Sequence, residues 1–275
     1  MNSPVLVIAW HEFLINRRNR WVISFAGLFA ALTLAIAYFG MVTSGYAGFQ
    51  DFTRTSASLV NAGGFLIPLF ALVLGVFSLL THHEYLELLV TQPISRSQVL
   101  LGKYLGLALT VLGAAAFGFG LPGVVIAIAA GAEGALHYLA VVAYLSLLAI
   151  SFTGIALCVT LLARRRQIAL GIALGVWVFF ELLYGVGMLA STLYFPAGVL
   201  ETTLIVGLLG NPVDLARVLS LLQVGGPHLF GPAGATLLKL TGSVGVATAW
   251  GLAGLLAWTV IPVTLAAWIF KRQDL

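Results

Sequence analysis

Charged residues are scarce in this 275-residue chain, making up 8% of the sequence against 61% hydrophobic residues. Soluble domains carry about 25% charged residues, so the chain lacks the groups that cover a water-facing surface. The mean hydropathy of +1.08 instead indicates that the lipid bilayer is its solvent. The formal charge of +4 is small. It predicts contact with anionic lipid headgroups and no nucleic-acid partner.

Catalytic and metal-binding patterns are also lacking. The single cysteine, Cys158, excludes an intrachain disulfide framework and a thiolate metal cluster. His82-His83-Glu84 is not followed by the second histidine of H-E-x-x-H, and there is no G-x-x-x-x-G-K-[ST] segment for ATP. We therefore predict no catalytic site, no metal site and no cofactor on this chain.

What the chain does have is six apolar stretches, each long enough to cross a bilayer, which takes roughly 20 residues. They predict an all-α integral membrane protein, because a helix satisfies its own backbone groups in lipid. The predicted spans lie at about 21–42, 59–81, 104–130, 138–162, 168–190 and 244–270.

A shorter helix is predicted before the first span, over residues 3–18. Ser3-Pro4 is typical of a helix start, and Leu6, Trp10 and Phe13 recur at helical spacing. This pattern predicts an amphipathic helix in the membrane interface. A signal peptide is disfavoured because the apolar stretch that follows is too long and further spans come after it.

The basic residues fix an orientation for these spans. If the chain crosses six times, every Lys and Arg except Arg54, Arg217 and Lys239 lies on one side. By the positive-inside rule that side is the cytoplasm, which predicts a multi-pass membrane protein with both termini cytoplasmic.

The cytoplasmic connection between spans 2 and 3, residues 82–103, has the features of a structured elbow. A short helix with a charged and an apolar face ends at Pro93, and Ser95 with Gln98 forms a capping box that opens span 3. We interpret it as a coupling elbow that accepts force from a soluble partner, an ordinary loop being the alternative. The residues assigned to this contact are His82, His83, Glu84, Tyr85, Glu87, Arg96 and Lys103.

The connection between spans 5 and 6, residues 191–243, is predicted to be external and helical. Asn211-Pro212 gives a cap and a first-turn proline, and Asp214 can pair with Arg217 one turn later. A lid packed on its own spans, or a re-entrant segment at 202–209, are open alternatives. The residues assigned to contact with a periplasmic partner are Asn211, Asp214, Arg217, Gly225, Gly226 and His228.

Glu181 is the clearest ionisable residue deep inside a predicted span. Such residues are costly in lipid and are candidates for function. We assign it as a candidate intramembrane polar site, a protonated or hydrogen-bonded structural residue being the alternative.

The elbow resembles that of the ABC-2 family of transporter permeases. The resemblance is carried by Glu84 through Arg96, with its acids, apolar helix, Pro93 and Ser-Arg pair, and by Gly102-Lys103. It implies that residues 1–275 form a single ABC-2 transmembrane domain working as a homodimer. It also implies that each permease docks through the elbow on a separate cytoplasmic ATPase, which would bind ATP and Mg.

A narrower resemblance is to the permeases of nitrous oxide reductase maturation systems. It is carried by the segments 211–218 and 223–234, and also by 16–21 and 82–85. It implies a periplasmic β-helical accessory protein, and a copper-chaperone lipoprotein and the reductase as further partners. The implied role is assembly of the copper–sulfur centre, by transport of a sulfur species or by mechanical work on the periplasmic partner.

Three other functions stay open at this stage. One is an ABC-2 exporter of another substrate, and a second is an intramembrane enzyme, for which Glu181 is the one deep candidate. The third is a secondary transporter or passive scaffold, disfavoured because no inverted repeat with broken helices is evident.

Overall fold

The computed structural model describes residues 3–42, 49–81, 94–163, 165–225 and 231–272. Within these ranges the chain is helical and contains no strand, which confirms the predicted all-α fold. The helices are α1 (Pro4–Asn16), α2 (Arg20–Val42), α3 (Phe49–Thr81), α4 (Arg96–Leu162), α5 (Arg166–Val178), α6 (Tyr184–Tyr194), α7 (Ala197–Gly210), α8 (Pro212–Val224), α9 (Gly231–Thr241) and α10 (Val244–Lys271), with a π-helical turn at Phe179–Leu183 between α5 and α6.

Six helical segments are long and apolar enough to cross a membrane, which confirms the predicted number of spans. The third starts at Arg96, earlier than the predicted 104, because the capped helix leaving the elbow continues directly into the span. The six segments are Arg20–Gly40, Arg54–Leu79, Arg96–Ile126, Gly134–Leu162, Arg166–Tyr194 and Val244–Lys271.

The long helix α4 holds spans 3 and 4 as an antiparallel hairpin. The Tyr104 hydroxyl donates to the carbonyl of Ile150 at 3.3 Å, and the Tyr138 hydroxyl donates to the carbonyl of Phe119 at 2.7 Å. Residues this far apart in sequence meet only because the helix turns back on itself between the two spans.

Spans 2 and 4 form the centre of the bundle, and about two thirds of each is buried. They approach closely at Gly75, which has no side chain: a Cβ atom there would lie only 2.5 Å from the Cβ of Ala156. Between apolar helices in lipid, association depends on such close van der Waals packing. By contrast, 11% of span 5 is buried, so most of its surface faces outward.

Helix α1 forms within residues 3–18, where a short helix was predicted, and it packs on the start of α4. Its position in the membrane interface stays a prediction. Leu6 and Trp10 are exposed, whereas the face toward the bundle includes Ile8 and Glu12. Gly102 and Gly106 admit this face, because a Cβ at either position would collide with Ile8 or Glu12. Ser3 stands at the N-cap position as predicted, but its side chain makes no capping hydrogen bond.

Helix α8, which belongs to the segment predicted to be external, packs inside the helix bundle. Helices α7 and α8 are bent by 101° at Asn211, so their axes are nearly perpendicular. Most of α8 is buried, and it packs against α3, α4 and α10. Its apolar residues cover so much of its circumference that it packs inside the bundle. This burial agrees with the two open alternatives, a lid packed on its own spans and a re-entrant segment. The external position of residues 191–243 stays a prediction.

Candidate functional site

We call the bent pair of helices α7 and α8 the re-entrant hairpin. Three charged side chains meet where this pair contacts span 5. Arg217 Nη2 lies 3.0 Å from Glu181 Oε1, and Arg217 Nη1 lies 3.1 Å from Asp214 Oδ1. We call Glu181, Asp214 and Arg217 the hairpin triad. The planar guanidinium presents several donors in a fixed geometry, so one arginine bridges two carboxylates on different helices.

The π-helical turn in span 5 positions Glu181. Residues Phe179–Leu183 form this turn, and Glu181 lies in it with its side chain 6% exposed. π-turns are rare and interrupt the regular hydrogen bonding of an α-helix. Here the carbonyl of Phe180 accepts a hydrogen bond from Asn211 Nδ2 at 2.9 Å, which ties the turn to the hairpin.

Asn211 organises the bend between α7 and α8. Its Oδ1 accepts from the backbone N–H of Val213 at 3.0 Å, which confirms the predicted cap. Its Nδ2 also donates to Asp214 Oδ2 at 2.8 Å. The side chain is fully buried, and these bonds satisfy an amide that would otherwise be costly to bury.

The carbonyl groups at the end of α7 are satisfied from two spans. The Tyr184 hydroxyl donates to the carbonyl of Gly207 at 2.8 Å, and Trp258 Nε1 donates to the carbonyl of Leu209 at 2.9 Å. The last carbonyls of a helix have no intrahelical partner. In a membrane protein such backbone is tolerated where neighbouring groups bind it, so these donors stabilise the bend.

A cavity of about 330 Å³ adjoins the triad between α6, α7, α8 and the start of α9. Asp214 and Arg217 form its charged corner, and most of the other lining residues are apolar, Met188 and Leu208 among them. With both carboxyl groups ionised, two acids and one arginine would give the triad a formal net charge of −1. Glu181 Oε2 and Arg217 Nε are buried without a hydrogen-bond partner among the described residues. The triad can bind polar groups inside the helix bundle. It contains no nucleophile beside a base.

The triad brings together residues that the sequence assigned to two separate sites. Glu181, the candidate intramembrane residue, contacts Arg217 directly. The predicted pairing of Asp214 with Arg217 is also present. Asn211 is fully buried, however, and so is not available for surface contact with a periplasmic partner. Its position inside the bend, created by the re-entry of α8, is the physical reason. Gly225 ends α8 with φ of 110°, and Gly226 and His228 lie outside the described residues.

Of the residues assigned to the coupling elbow, Arg96 and Lys103 lie in the described part of the chain. Arg96 begins α4 after the Ser95 capping box, which is present with both of its hydrogen bonds. Lys103 is fully buried, so it does not lie on the surface where a soluble partner would dock. The other assigned residues lie outside the described residues: His82, His83, Glu84, Tyr85 and Glu87.

Lys103 belongs instead to a second buried polar group, which we call the elbow cluster: Glu12, Asn16, Ser78 and Lys103. Lys103 Nζ lies 3.2 Å from Glu12 Oε2, and the other carboxylate oxygen accepts from the Ser78 hydroxyl and from Asn16 Nδ2. The cluster joins α1, the end of α3 and the start of α4.

Sequence reasoning missed the partners of Lys103. Glu12 was one available signal, since it is the single acid in the apolar α1 segment. A buried carboxylate requires a cation or several donors, and Lys103, about two turns into α4, was one candidate. Ser78 carried no comparable signal, because it lies 66 residues from Glu12.

The chain is similar to known transport proteins over nearly its whole length. Residues 6–275 match the family model described as ABC-2 family transporter protein. A probable ABC transporter permease protein NosY from Pseudomonas aeruginosa is 34% identical over 98% of this chain and 99% of its own length. A protein with the same description from Stutzerimonas stutzeri is 33% identical, with the same shares covered. The matched region contains both the hairpin triad and the elbow cluster.

Proposed function

Because the chain belongs to the ABC-2 family of transporter proteins, we propose that it couples ATP hydrolysis on a partner chain to periplasmic maturation of nitrous oxide reductase. The family match and the six candidate spans indicate that the protein is a multi-pass ABC-2 permease. The observation that supports the narrower role is its end-to-end similarity to two probable NosY permeases.

In this proposal the permease is a homodimer in the inner membrane, with both termini cytoplasmic and residues 1–275 as one transmembrane domain. A cytoplasmic ATPase dimer binds ATP and Mg, and the permease itself holds no cofactor. A periplasmic β-helical protein, a copper-chaperone lipoprotein and the reductase are the expected further partners. The arginines at one end of the spans support this orientation.

The elbow cluster provides the route from the ATPase into the spans. A push on the elbow reaches α4 at its capped start, and Lys103 lies about two turns further along. Lys103 is held to α1 through Glu12, and Glu12 accepts from Ser78 near the end of α3. Since separating a buried charge pair is costly, we expect these three helix ends to move together.

The hairpin triad is the second part of the proposed mechanism. It links span 5 to the re-entrant hairpin, so a displacement of span 5 is transmitted to α7 and α8 through Glu181 and Arg217. The adjoining cavity of about 330 Å³ can hold a small species, whereas the linkage alone can deliver mechanical work. Export of another substrate by the same arrangement is the alternative function.

Complementation tests the maturation role. The chain is expressed in a denitrifying host whose own maturation permease has been deleted, and nitrous oxide reduction and the copper–sulfur absorption of the purified reductase are measured. We expect both to be restored, and to be lost again when the P-loop lysine of the co-expressed ATPase is replaced. If the permease reaches the membrane and co-purifies with the ATPase but the reductase stays immature, the exporter alternative is favoured.

A separate measurement tests coupling through the elbow. Glu84→Lys and Glu87→Lys are introduced, with Glu201→Lys as a control, because Glu201 is an exposed acid that pairs with Lys239 on α9. We expect the elbow variants to lose ATPase association and stimulation while the control keeps both. Unchanged association in the elbow variants contradicts the proposed coupling site, and ATP-independent activity of the permease alone would favour an intramembrane enzyme.

A further inference from the structure

Two cavities adjoin each other along the outer face of α2 and α3, at the end of the bundle that carries the basic residues. The first, of about 360 Å³, is lined by polar groups that include Asn16, Arg18 and Arg166. The second, of about 250 Å³, is almost entirely apolar. Asn19, Trp21 and Phe77 line both, so the two cavities are adjacent. The Trp21 and Phe77 rings stack at this junction with centroids 6.1 Å apart. We call the two cavities together the groove, and the first of them its basic mouth.

The positive charge of the mouth favours an anionic ligand. Among its described lining residues two are arginines and none is acidic. Arg166 is held in place because its guanidinium carbon lies 4.1 Å from the centre of the Phe77 ring. Asn19 adds an amide group beside the arginines, whereas the Asn16 amide already donates to Glu12 and Ser78. Two arginines lining one cavity are suited to the oxygens of a phosphate.

The apolar part of the groove has the length of one membrane leaflet. Its lining along α3 runs from Leu66 to Phe77, which is about 16 Å at 1.5 Å per residue. The hydrocarbon core of a bilayer is about 30 Å thick, so this is close to half of it. Its floor is rigid, since the Phe25 and Phe70 rings stack with centroids 3.6 Å apart.

We propose that this groove binds one anionic phospholipid, with the phosphate on Arg18 and Arg166 and one acyl chain along α2 and α3. A soluble partner cannot reach the apolar part at membrane depth. A second copy of the permease at this face would bring two basic mouths together, which is electrostatically unfavourable. Asn16 and Ser78, which belong to the elbow cluster, also line the mouth, so a lipid bound there would lie beside that cluster.

Native mass spectrometry of the full-length permease tests this proposal. The protein is loaded with phosphatidylglycerol or with phosphatidylcholine of the same acyl chains, and retained lipid is counted. We expect one retained phosphatidylglycerol per permease and a preference over phosphatidylcholine. We expect Arg18→Gln and Arg166→Gln each to lower retention about fivefold, as the loss of one arginine near anionic headgroups predicts.

Arg272→Gln is the matched control. Arg272 also lies on an aromatic ring, 3.9 Å from the centre of Trp268, but it is not part of the groove lining. Retention should therefore be unchanged in this variant. Equal retention of the two lipids, or equal loss in Arg272→Gln and Arg166→Gln, would overturn the proposal.

Two measurements keep the test independent of how the arginine variants fold. Phosphatidylglycerol brominated in its acyl chain should quench wild-type tryptophan fluorescence more than the brominated phosphatidylcholine, with Trp21→Phe giving the baseline. Leu28→Cys, at the exposed edge of the groove, should form no disulfide between permeases. Efficient cross-linking at Leu28→Cys would place a second copy in the groove and refute lipid binding there.

The lipid proposal is independent of the proposed function. Failure of complementation with normal lipid retention would contradict only the maturation role. Loss of lipid selectivity with normal complementation would contradict only the groove.

Discussion

Individual buried charges decide how the helix ends at the elbow are held. Lys103 is fully buried and Glu12 is 3% exposed, so their ion pair lies in the interior of the bundle. Removing one member of such a pair leaves an uncompensated charge in a low-dielectric interior, whereas removing both is tolerated far better.

We expect Lys103→Met to lower the free energy of unfolding by about 3–5 kcal/mol. The double variant Glu12→Gln/Lys103→Met should recover most of this loss, because no lone charge remains. Glu201→Gln is the control, since it breaks an exposed pair worth at most about 1 kcal/mol. Unfolding of the detergent-solubilised permease measures all three, and similar losses in Lys103→Met and Glu201→Gln would contradict the buried pair.

Arg217 is the residue on which the hairpin triad depends. Because it bridges Glu181 and Asp214 through two nitrogens, we expect Arg217→Gln to destabilise the permease by several kcal/mol, as removal of one partner from a buried network does. Arg217→Gln/Glu181→Gln should be more stable than Arg217→Gln alone.

Activity measurements distinguish a role of Arg217 in coupling from a purely structural role. We expect Arg217→Lys to keep most of the stability, since the cation stays, but to lose part of the ATPase stimulation and reductase maturation, because an ammonium cannot reproduce the two-nitrogen bridge. Full maturation activity in both Arg217 variants would show that the triad has no part in coupling.

At the scale of elements, the re-entrant hairpin is the least regular part of the fold. Its bend is stabilised by side chains from two different spans, Tyr184 and Trp258, that donate to carbonyls at the end of α7. Each unmade hydrogen bond to a buried group costs about 1–3 kcal/mol.

Tyr184→Phe should therefore loosen the bend without unfolding the bundle. We expect faster amide hydrogen exchange in residues 203–215, with exchange in span 4 unchanged. Tyr194→Phe is the control, since Tyr194 is 81% exposed at the end of α6. Identical exchange in the two variants would mean that the hydroxyl does not hold the hairpin.

Close packing of α3 on span 4 gives another prediction. A Cβ at Gly75 would lie 2.5 Å from that of Ala156, so Gly75→Ala should cost about 1–3 kcal/mol through overpacking. Gly75→Ala/Ala156→Gly should restore much of it by moving the methyl group across the interface. Gly113→Ala, where the space is open, should be neutral or slightly stabilising, and unfolding measurements compare the three.

At the scale of the whole molecule, we propose that the six candidate spans place both termini on the same side of the membrane. The basic residues assign that side to the cytoplasm. Lys239→Cys should react with a membrane-impermeant maleimide in intact cells, and Arg272→Cys only after permeabilisation. The native Cys158 is buried and should stay unlabelled. The reverse labelling pattern would invert the topology and contradict the cytoplasmic elbow.

The sequence predicted the spans well because hydropathy and capping are local properties. The Ser95 capping box, the Asn211 cap and the Asp214–Arg217 pair each depend on residues within three or four positions of one another. The pairing of Glu181 with Arg217 joins residues 36 positions apart and exists only because α7 and α8 are bent by 101°. No local pattern encodes that angle, so the two predicted sites could not be recognised as one.

The bend at Asn211 also makes α7 a lever. The helix is fastened at its inner end by Tyr184 and Trp258, and its 14 residues extend about 21 Å from that fulcrum at 1.5 Å per residue. A tilt of about 10° at the fastened end therefore sweeps the opposite end, at Ala197, through roughly 4 Å. We therefore expect a small tilt of span 5 to displace the Ala197 end of α7 by several ångströms, together with α9, whose Lys239 pairs with Glu201 on α7.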